Sequence, residues 1–272
     1  MMQKKIAFYG KGGIGKSTTA ANVSAAWAAN GYQVCQIGCD PKNDSTRLLL
    51  GQVCSQTVLD MVKKYGDELQ AEQIVHSGFG GVQCVEAGGP EPGVGCAGRG
   101  IIVALEKLKA LQAMPEEAII LYDVLGDVVC GGFAVPIREG YATDIYIVSS
   151  GELMSLYAAN NIAKGIARYA ARGPVRLGGI IGNSRGIANE QALLAEFAHR
   201  LSTSLVAYIP REPIVNKAEI HRKTVIEFAA NSRQAAIYRQ LAAFISENSA
   251  ADVPTPMAFA ELEELVLAYG DE

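Results

Sequence analysis

The chain lacks the sequence features of several large protein classes. It has no C-x-x-C pair and no zinc-ligand spacing among its 6 cysteines, and its 3 histidines fall in no triad or metal-binding pattern. No apolar run approaches the roughly 18 residues of a membrane span, and the N-terminal MMQKKIAFYG contains no signal-peptide core. These absences argue against a disulfide framework, histidine-based catalysis and a membrane protein, and they predict a cytoplasmic location.

An excess of charge is also missing. The 24 Lys and Arg residues nearly balance the 28 Asp and Glu residues, for a formal net charge of −4, so no nucleic-acid or membrane partner is expected. The composition, 49% hydrophobic over 272 residues, is that of a globular protein with ample core. Apolar strands alternate with helical segments, which predicts an α/β fold of the P-loop NTPase type with a mostly parallel sheet flanked by helices. We expect a single domain at 1–247 and a C-terminal tail at 248–272 with a short acidic helix, packed on the domain or on a dimer partner.

The strongest motif is GKGGIGKS at residues 10–17, which fits G-x-x-x-x-G-K-[ST]. A short apolar strand, 4–9, precedes it and a helix-forming stretch, 17–30, follows it. Glycines let several backbone N–H groups point at one polyphosphate, and the helix N-terminus adds about half a positive charge. Lys16 is predicted to contact the β- and γ-phosphates, and the Ser17 hydroxyl to ligate magnesium. The predicted nucleotide contacts in this loop are Gly10, Gly12, Gly13, Ile14, Gly15, Lys16, Ser17 and Thr18.

The second lysine of the loop, Lys11, predicts a homodimer. A lysine this early in the loop points away from its own phosphates, so its useful place is on the nucleotide of a partner subunit. A cation supplied in trans to a transferring phosphoryl group accelerates the reaction by about a thousandfold or more. The alternative is a solvated surface lysine.

Acidic residues follow two further predicted strands. The loop CDPKNDST at 39–46 comes directly after the strand at 33–38, and Asp123 follows the apolar run AIILY. Ligands of parallel sheets bind at such strand ends, and a strand-terminal Asp beside a P-loop holds magnesium through a water. Gly126 is expected to sense the γ-phosphate with its backbone N–H, so that loss of the phosphate releases the loop.

Two cysteines lie in glycine-rich segments close to this switch. Cys130 follows Asp123 within the same segment, and Cys96 follows GGPEPGVG. Backbone N–H groups at such bends stabilise thiolates. Two thiolates are too few for an iron–sulfur cluster, which usually takes four, but a dimer doubles them. The other reading is that both are small buried core residues.

Six long motifs then resemble one family, the nitrogenase iron proteins (dinitrogenase reductases), including nitrogenase-like reductase iron proteins. They are YGKGGIGKST, GCDPKNDSTRLLL, CVEAGGPEPGVGCAGRG, YDVLGDVVCGGFAVPIREG, YAANNI and VRLGGIIGNSR, within a similarity from about 4 to 269. The resemblance implies a homodimer with one 4Fe–4S cluster held by Cys96 and Cys130 of both subunits. It also implies bound MgATP and ATP-gated one-electron transfer, from an upstream ferredoxin or flavodoxin to a large catalytic nitrogenase or nitrogenase-like protein.

The resemblance also implies roles for individual residues. Lys11 would act across the dimer, Asp40 and Asp44 would lie near the attacking water and magnesium, and Asp123 and Asp127 would form the second switch pair. Adenine contacts are implied for Asn183, Pro210, Arg211, Glu212, Gln234 and Tyr238, and partner docking for Arg99 and Arg138. From the residues alone, Arg99 is interpreted as a solvated surface charge.

Some positions depart from the family. Members commonly have cysteine at Ser149 and Gly182 and aspartate at Glu212. These departures leave room for a nitrogenase-like reductase with another substrate, such as a methylthio-alkane or a tetrapyrrole. A more remote alternative is a partition-type P-loop ATPase, although such proteins use basic surfaces and the C-terminal FAELEELVLAY is acidic. An iron–sulfur carrier ATPase typically has the C-x-x-C that is missing here.

Overall fold

The fold is built on one large sheet. The computed structural model describes residues 4–89, 97–126, 134–248 and 251–270. Within these ranges the strands run in the order β3-β4-β2-β5-β1-β6-β7-β8, and every pairing is parallel except that of β3 with β4. They are β1 (Lys4–Tyr9), β2 (Val34–Cys39), β3 (His76–Ser77), β4 (Gln83–Glu86), β5 (Ile119–Val124), β6 (Asp144–Ser149), β7 (Arg176–Asn183) and β8 (Leu205–Ile209).

Helices cover both faces of the sheet, and each face has its own apolar core. One core lies under α1 and α10, where the buried Trp27 donates from its indole Nε1 to the Ala242 carbonyl over 2.8 Å. The other lies under α4, α6, α7 and α11. The helices are α1 (Lys16–Ala29), α2 (Arg47–Leu50), α3 (Val58–Tyr65), α4 (Ala97–Ala110), α5 (Val135–Arg138), α6 (Leu153–Ala170), α7 (Glu190–Arg200), α8 (Pro213–Ile220), α9 (Val225–Phe228), α10 (Arg233–Glu247) and α11 (Phe259–Gly270).

The predicted fold class is confirmed: this is a single-domain α/β fold with an eight-stranded, mostly parallel sheet of the P-loop NTPase kind. Strand β5 is buried along its whole length, as its unbroken apolar run predicts for a central parallel strand. Because β2, β5 and β1 are neighbours, the loops that follow their carboxyl ends meet at one edge of the sheet. That edge carries the candidate site.

The C-terminal segment is closely attached to the rest of the chain. Helix α11 contacts α6 and α7. The buried Asn160 side chain donates to the Met257 carbonyl over 2.8 Å and accepts from the Met257 N–H over 2.9 Å. The division between a domain at 1–247 and a tail at 248–272 stays a prediction. Across the described ranges, no helix has the length and apolar character needed to cross a membrane.

Candidate functional site

The loop between β1 and α1 leaves the start of the helix open. Gly15, directly before α1, has φ 91°, a conformation that glycine adopts without strain, and no side chain caps the helix there. A Cβ at Gly15 would also collide with the amide of Asn183, whose Nδ2 donates to the Ile14 carbonyl over 2.5 Å. The N–H groups of the first turn are therefore available to an anion.

A cavity of about 380 Å³ lies in front of this helix start. Two loops supply most of its walls, the one before α1 and the one between β2 and α2, as the strand order requires. Nine of the predicted site residues come together here: Lys11, Gly12, Gly13, Gly15, Lys16, Ser17, Thr18, Asp40 and Asp44.

Asp123, near the end of β5, is fully buried next to this cavity. Its carboxylate forms an ion pair with the Lys16 ammonium and accepts a hydrogen bond from the Ser45 hydroxyl over 2.6 Å. Lys16 is itself only 6% exposed, so this is a buried ion pair whose partners depend on each other.

Gly126 lies against the backbone of Gly10, where β1 enters the loop. A Cβ built on Gly126 would be 2.5 Å from the Gly10 nitrogen and 2.7 Å from its carbonyl carbon. Real Cβ atoms essentially never approach other atoms within 3.0 Å. The loop after β5 and the loop after β1 are thus in direct backbone contact.

A second cavity, of about 240 Å³, adjoins the first, because Gly15, Thr18 and Glu219 line both. Gln234 does not line this cavity but is buried on α10 one turn before Tyr238. Burial raises the pKa of Tyr238 to about 12, so its phenol keeps its proton. Five of the six residues with implied adenine contacts line the cavity: Asn183, Pro210, Arg211, Glu212 and Tyr238.

Two polar contacts at these cavities were not predicted. Arg47 donates to Glu219 over 2.7 Å across the first cavity, and Arg185 donates to the Gly13 carbonyl. Glu219 is on α8, far along the chain from the P-loop, and stands in none of the quoted motifs. Arg47 and Arg185 stand in the motifs GCDPKNDSTRLLL and VRLGGIIGNSR, but neither was assigned a role.

Glu190 holds the backbone around Arg185. Its carboxylate accepts from the N–H groups of Gly151 and Arg185 and from the Ser184 hydroxyl, over 2.8–3.1 Å. Burial acts to raise the pKa of Glu190, but these donors outweigh it and hold the pKa below its usual value. Glu190 therefore holds Ser184 and Arg185, which line the second cavity, in place.

A second buried carboxylate, Glu86, lies between the loop at 40–46 and the segment that follows β4. One oxygen, Oε1, accepts from both the N–H and the hydroxyl of Thr46, each over 2.7 Å. Burial raises the pKa of Glu86 to about 8. Glu86 stands in the motif CVEAGGPEPGVGCAGRG, but nothing in its spacing indicated a role.

The predicted cluster ligands Cys96 and Cys130, together with Asp127, lie outside the described residues. The other four cysteines are buried, and burial raises the pKa of each thiol, to about 12 for Cys35. In the part of the chain that the structure describes, no group of three His, Cys, Asp or Glu side chains could hold a metal ion.

The two predicted docking residues lie away from both cavities. Arg99 is exposed in the first turn of α4. Arg138, at the end of α5, is 39% exposed and donates to Glu139 over 2.8 Å. Their role in docking stays a prediction.

Comparison with known proteins adds a family and several structural relatives. Residues 4–272 match the model of the 4Fe–4S iron sulfur cluster binding proteins, NifH/frxC family. Similar solved structures include the septum site-determining protein MinD complexed with Mg-ADP from Pyrococcus horikoshii OT3 (18% identity, 90% of this chain and 97% of that chain, TM-score 0.71). The ParA family ATPase from Chlorobium tepidum TLS is 20% identical over 89% of this chain and 99% of that chain, with a TM-score of 0.68. Cobyrinic acid a,c-diamide synthase from Mycobacterium smegmatis with bound ATP analog and magnesium is 17% identical over 93% of this chain and 100% of that chain, with a TM-score of 0.68. At these identities the structural likeness shows the fold alone.

Proposed function

Because the chain belongs to the NifH/frxC family of 4Fe–4S iron sulfur cluster binding proteins, we propose that it is the iron protein, or reductase component, of a nitrogenase or nitrogenase-like complex. It acts as an ATP-dependent one-electron donor to a large catalytic protein and receives its electrons from a ferredoxin or flavodoxin. The observation that carries this proposal is the meeting of the P-loop, the loop at 40–46 and the end of β5 around one polar cavity.

The two adjoining cavities suit the two ends of MgATP. The uncapped start of α1 and Lys16 offer donors and positive charge to the phosphates, and Ser17 with the carboxylates Asp40 and Asp44 offers oxygens to magnesium. In the second cavity Asn183, Arg211 and Tyr238 offer polar groups to a base, and the buried Gln234 lies one turn before Tyr238 on α10. This fit supports nucleotide binding with adenine between Asn183 and Tyr238.

Nucleotide binding would redistribute the charges around Asp123. Phosphate oxygens would compete for the Lys16 ammonium, and without that cation the Ser45 hydroxyl is the remaining partner of Asp123 among the described residues. The Asp123 carboxylate would then be available to hold magnesium through a water. Asp40 and Asp127 are proposed to orient the attacking water, and Lys11 to reach the nucleotide of the other subunit.

The donor set of the chain fits a 4Fe–4S cluster only in a dimer. Four of the six cysteines are buried thiols with raised pKa values. Cys96 and Cys130, the ligands that the resemblance implies, are therefore proposed as the thiolates that each subunit would supply. Four ligands therefore require two chains. When bound, the cluster supplies the site that takes up and releases one electron. Arg99, in the first turn of α4, and Arg138, at the end of α5, are proposed to dock the catalytic partner.

The test is anoxic reconstitution of the purified chain with iron and sulfide. We expect a brown homodimer with one cluster that gives a low-temperature EPR signal on reduction. Cys96→Ser and Cys130→Ser should each abolish the signal and leave nucleotide binding, whereas the matched variant Cys54→Ser should keep both. A reconstituted wild-type protein that stays colourless and EPR-silent while hydrolysing ATP would refute electron donation and favour a partition-type ATPase.

The substrate of the complex belongs to the catalytic partner. Ser149 and Gly182, where family members commonly have cysteine, keep open a nitrogenase-like reductase acting on a substrate other than dinitrogen. Ser149 is the last residue of β6, is buried and is hydrogen-bonded to Ser155 over 3.0 Å, so this departure lies in the sheet. Identification of the large protein that binds the nucleotide-trapped dimer decides between a nitrogenase and a nitrogenase-like reductase.

A further inference from the structure

The proposed function requires that nucleotide binding affects both proposed cluster ligands, Cys96 and Cys130. Along the chain, the segment that begins at Asp123 leads to Cys130 but not to Cys96. We propose that Glu86 is a positioning residue that couples the loop at 40–46 to the segment leading to Cys96. Movement at the nucleotide would then reach the two proposed ligands of each subunit by two separate routes. This inference rests on the proposed function and deepens it, since it assigns a residue to the regulation of the same site.

The coupling consists first of two short hydrogen bonds. Glu86 Oε1 accepts from the Thr46 N–H and from the Thr46 hydroxyl, each over 2.7 Å. Both residues are 0% exposed, so water cannot replace either bond. The second carboxyl oxygen, Oε2, has no hydrogen-bond partner among the described residues, and the attachment therefore depends on Oε1 alone.

Close packing makes this attachment rigid. The Ala87 N–H donates to the Gly38 carbonyl over 2.8 Å, and a Cβ at Gly38 would lie 2.6 Å from the Glu86 carboxyl carbon. A Cβ at Gly89 would lie 2.5 Å from the Pro41 Cβ. Glu86 and Gly89 are thus closely packed against the two ends of the 40–46 loop, at Thr46 and Pro41.

The same loop lines the proposed phosphate cavity. Asp40, Asp44 and Ser45 contribute to its wall, and Ser45 also donates to Asp123. Thr46 is the next residue, so any shift of Ser45 is transmitted along one peptide bond to the donors that Glu86 accepts. On the far side, Leu59 N–H bonds to the Ala87 carbonyl over 3.2 Å, which ties the segment to α3 as well.

Three substitutions separate the coupling from simple packing. Glu86→Met keeps the volume and removes the acceptor, and Thr46→Val keeps the shape and removes the hydroxyl donor. Glu86→Gln keeps an oxygen at the position of Oε1 and should behave like the wild type. Thr224→Val is the matched control, because Thr224 is also a 0% exposed threonine with a bonded hydroxyl, but it caps α9 and lines neither cavity.

The measurement uses the reconstituted holo-dimer under anoxic conditions. The rate at which 2,2′-bipyridyl extracts iron is compared in saturating MgATP and in saturating MgADP, and the ratio of the two rates is the nucleotide response. We expect Glu86→Met and Thr46→Val to reduce this response by about twofold to thirtyfold, the usual range for mutations along a coupling network. Glu86→Gln and Thr224→Val should keep the wild-type response.

Hydrogen–deuterium exchange of residues 83–89 gives a second readout that needs no cluster. MgATP should change protection of this segment in the wild type and leave it unchanged in Thr46→Val. A full wild-type response of both readouts in Glu86→Met and Thr46→Val would overturn the coupling while leaving the proposed function intact. A wild-type dimer with no cluster, or with a cluster insensitive to nucleotide, would refute the proposed function and this inference together.

Discussion

Replacing Gly126 by alanine tests the contact between the two loops most directly. The added methyl group would lie 2.5 Å from the Gly10 nitrogen and closer still to its carbonyl oxygen. An ordinary contact of 3.4 Å with that nitrogen alone requires the two backbones to separate by about 0.9 Å, and the closer carbonyl oxygen requires more. Backbone atoms cannot turn aside as a flexible side chain does, so one of the two loops has to move.

The displacement sets the expected magnitudes. Moving the loop donors by this amount removes at least one charge-assisted hydrogen bond to phosphate, worth about 1.5–3 kcal/mol, which weakens the Kd for MgATP about 10- to 150-fold. Overpacking costs about 1–3 kcal/mol of stability and lowers Tm by about 2–4 °C for each kcal/mol. Gly126→Ala should therefore fold but bind nucleotide poorly.

Titration calorimetry with MgATP and a thermal melt check both values. Gly173→Ala is the matched control, because a Cβ there meets nothing closer than the Tyr169 carbonyl oxygen at 3.8 Å. The control should bind MgATP like the wild type. A Gly126→Ala protein whose Kd and Tm equal those of the control would show that the loops after β1 and β5 do not touch.

Two further predictions concern buried charges in the nucleotide-free protein. Lys16→Met leaves the Asp123 carboxylate buried, with the Ser45 hydroxyl as its remaining partner among the described residues, so the free energy of unfolding should fall by about 3–5 kcal/mol. Adding Asp123→Asn should restore part of this loss. A melt of Lys16→Met at the wild-type Tm would contradict the ion pair. Because the folded-state pKa of Glu86 is raised from 4.5 to about 8, the folded protein holds a proton that the unfolded chain releases, and this contribution to stability is lost as pH rises through that window. The Tm of Glu86→Gln should therefore rise relative to the wild-type Tm as pH rises from 4.5 to about 8. A Tm difference that does not change with pH would argue against a protonated Glu86.

Several elements were predictable because their signals are local. The strand at 4–9 has the predicted bounds, since it is an apolar run that ends at a glycine. The helix predicted at 17–30 is α1, Lys16–Ala29. Helix α4 begins at Ala97 because tertiary packing overrides the poor helix propensity of Gly98 and Gly100.

The site was predictable to the extent that its residues stand in motifs. The P-loop and the acidic residues at strand ends were found from spacing alone, and the adenine residues from the resemblance. Glu86 and Glu219 were missed, because their contacts, with Thr46 and Arg47, join residues far apart in the chain. Hydrogen bonding of this kind leaves no periodic or local pattern in a sequence.

The sequence by itself determined the phosphate loop, since its glycines allow the backbone conformation that turns N–H groups toward an anion whatever surrounds them. It likewise determined which strands are buried, through their unbroken apolar runs. Only the tertiary structure decided that Asp123 meets Lys16 and that Glu86 meets Thr46. The physical reason is the strand order: β2, β5 and β1 become neighbours through long crossovers, and the side chains at their ends acquire partners only once the sheet has assembled.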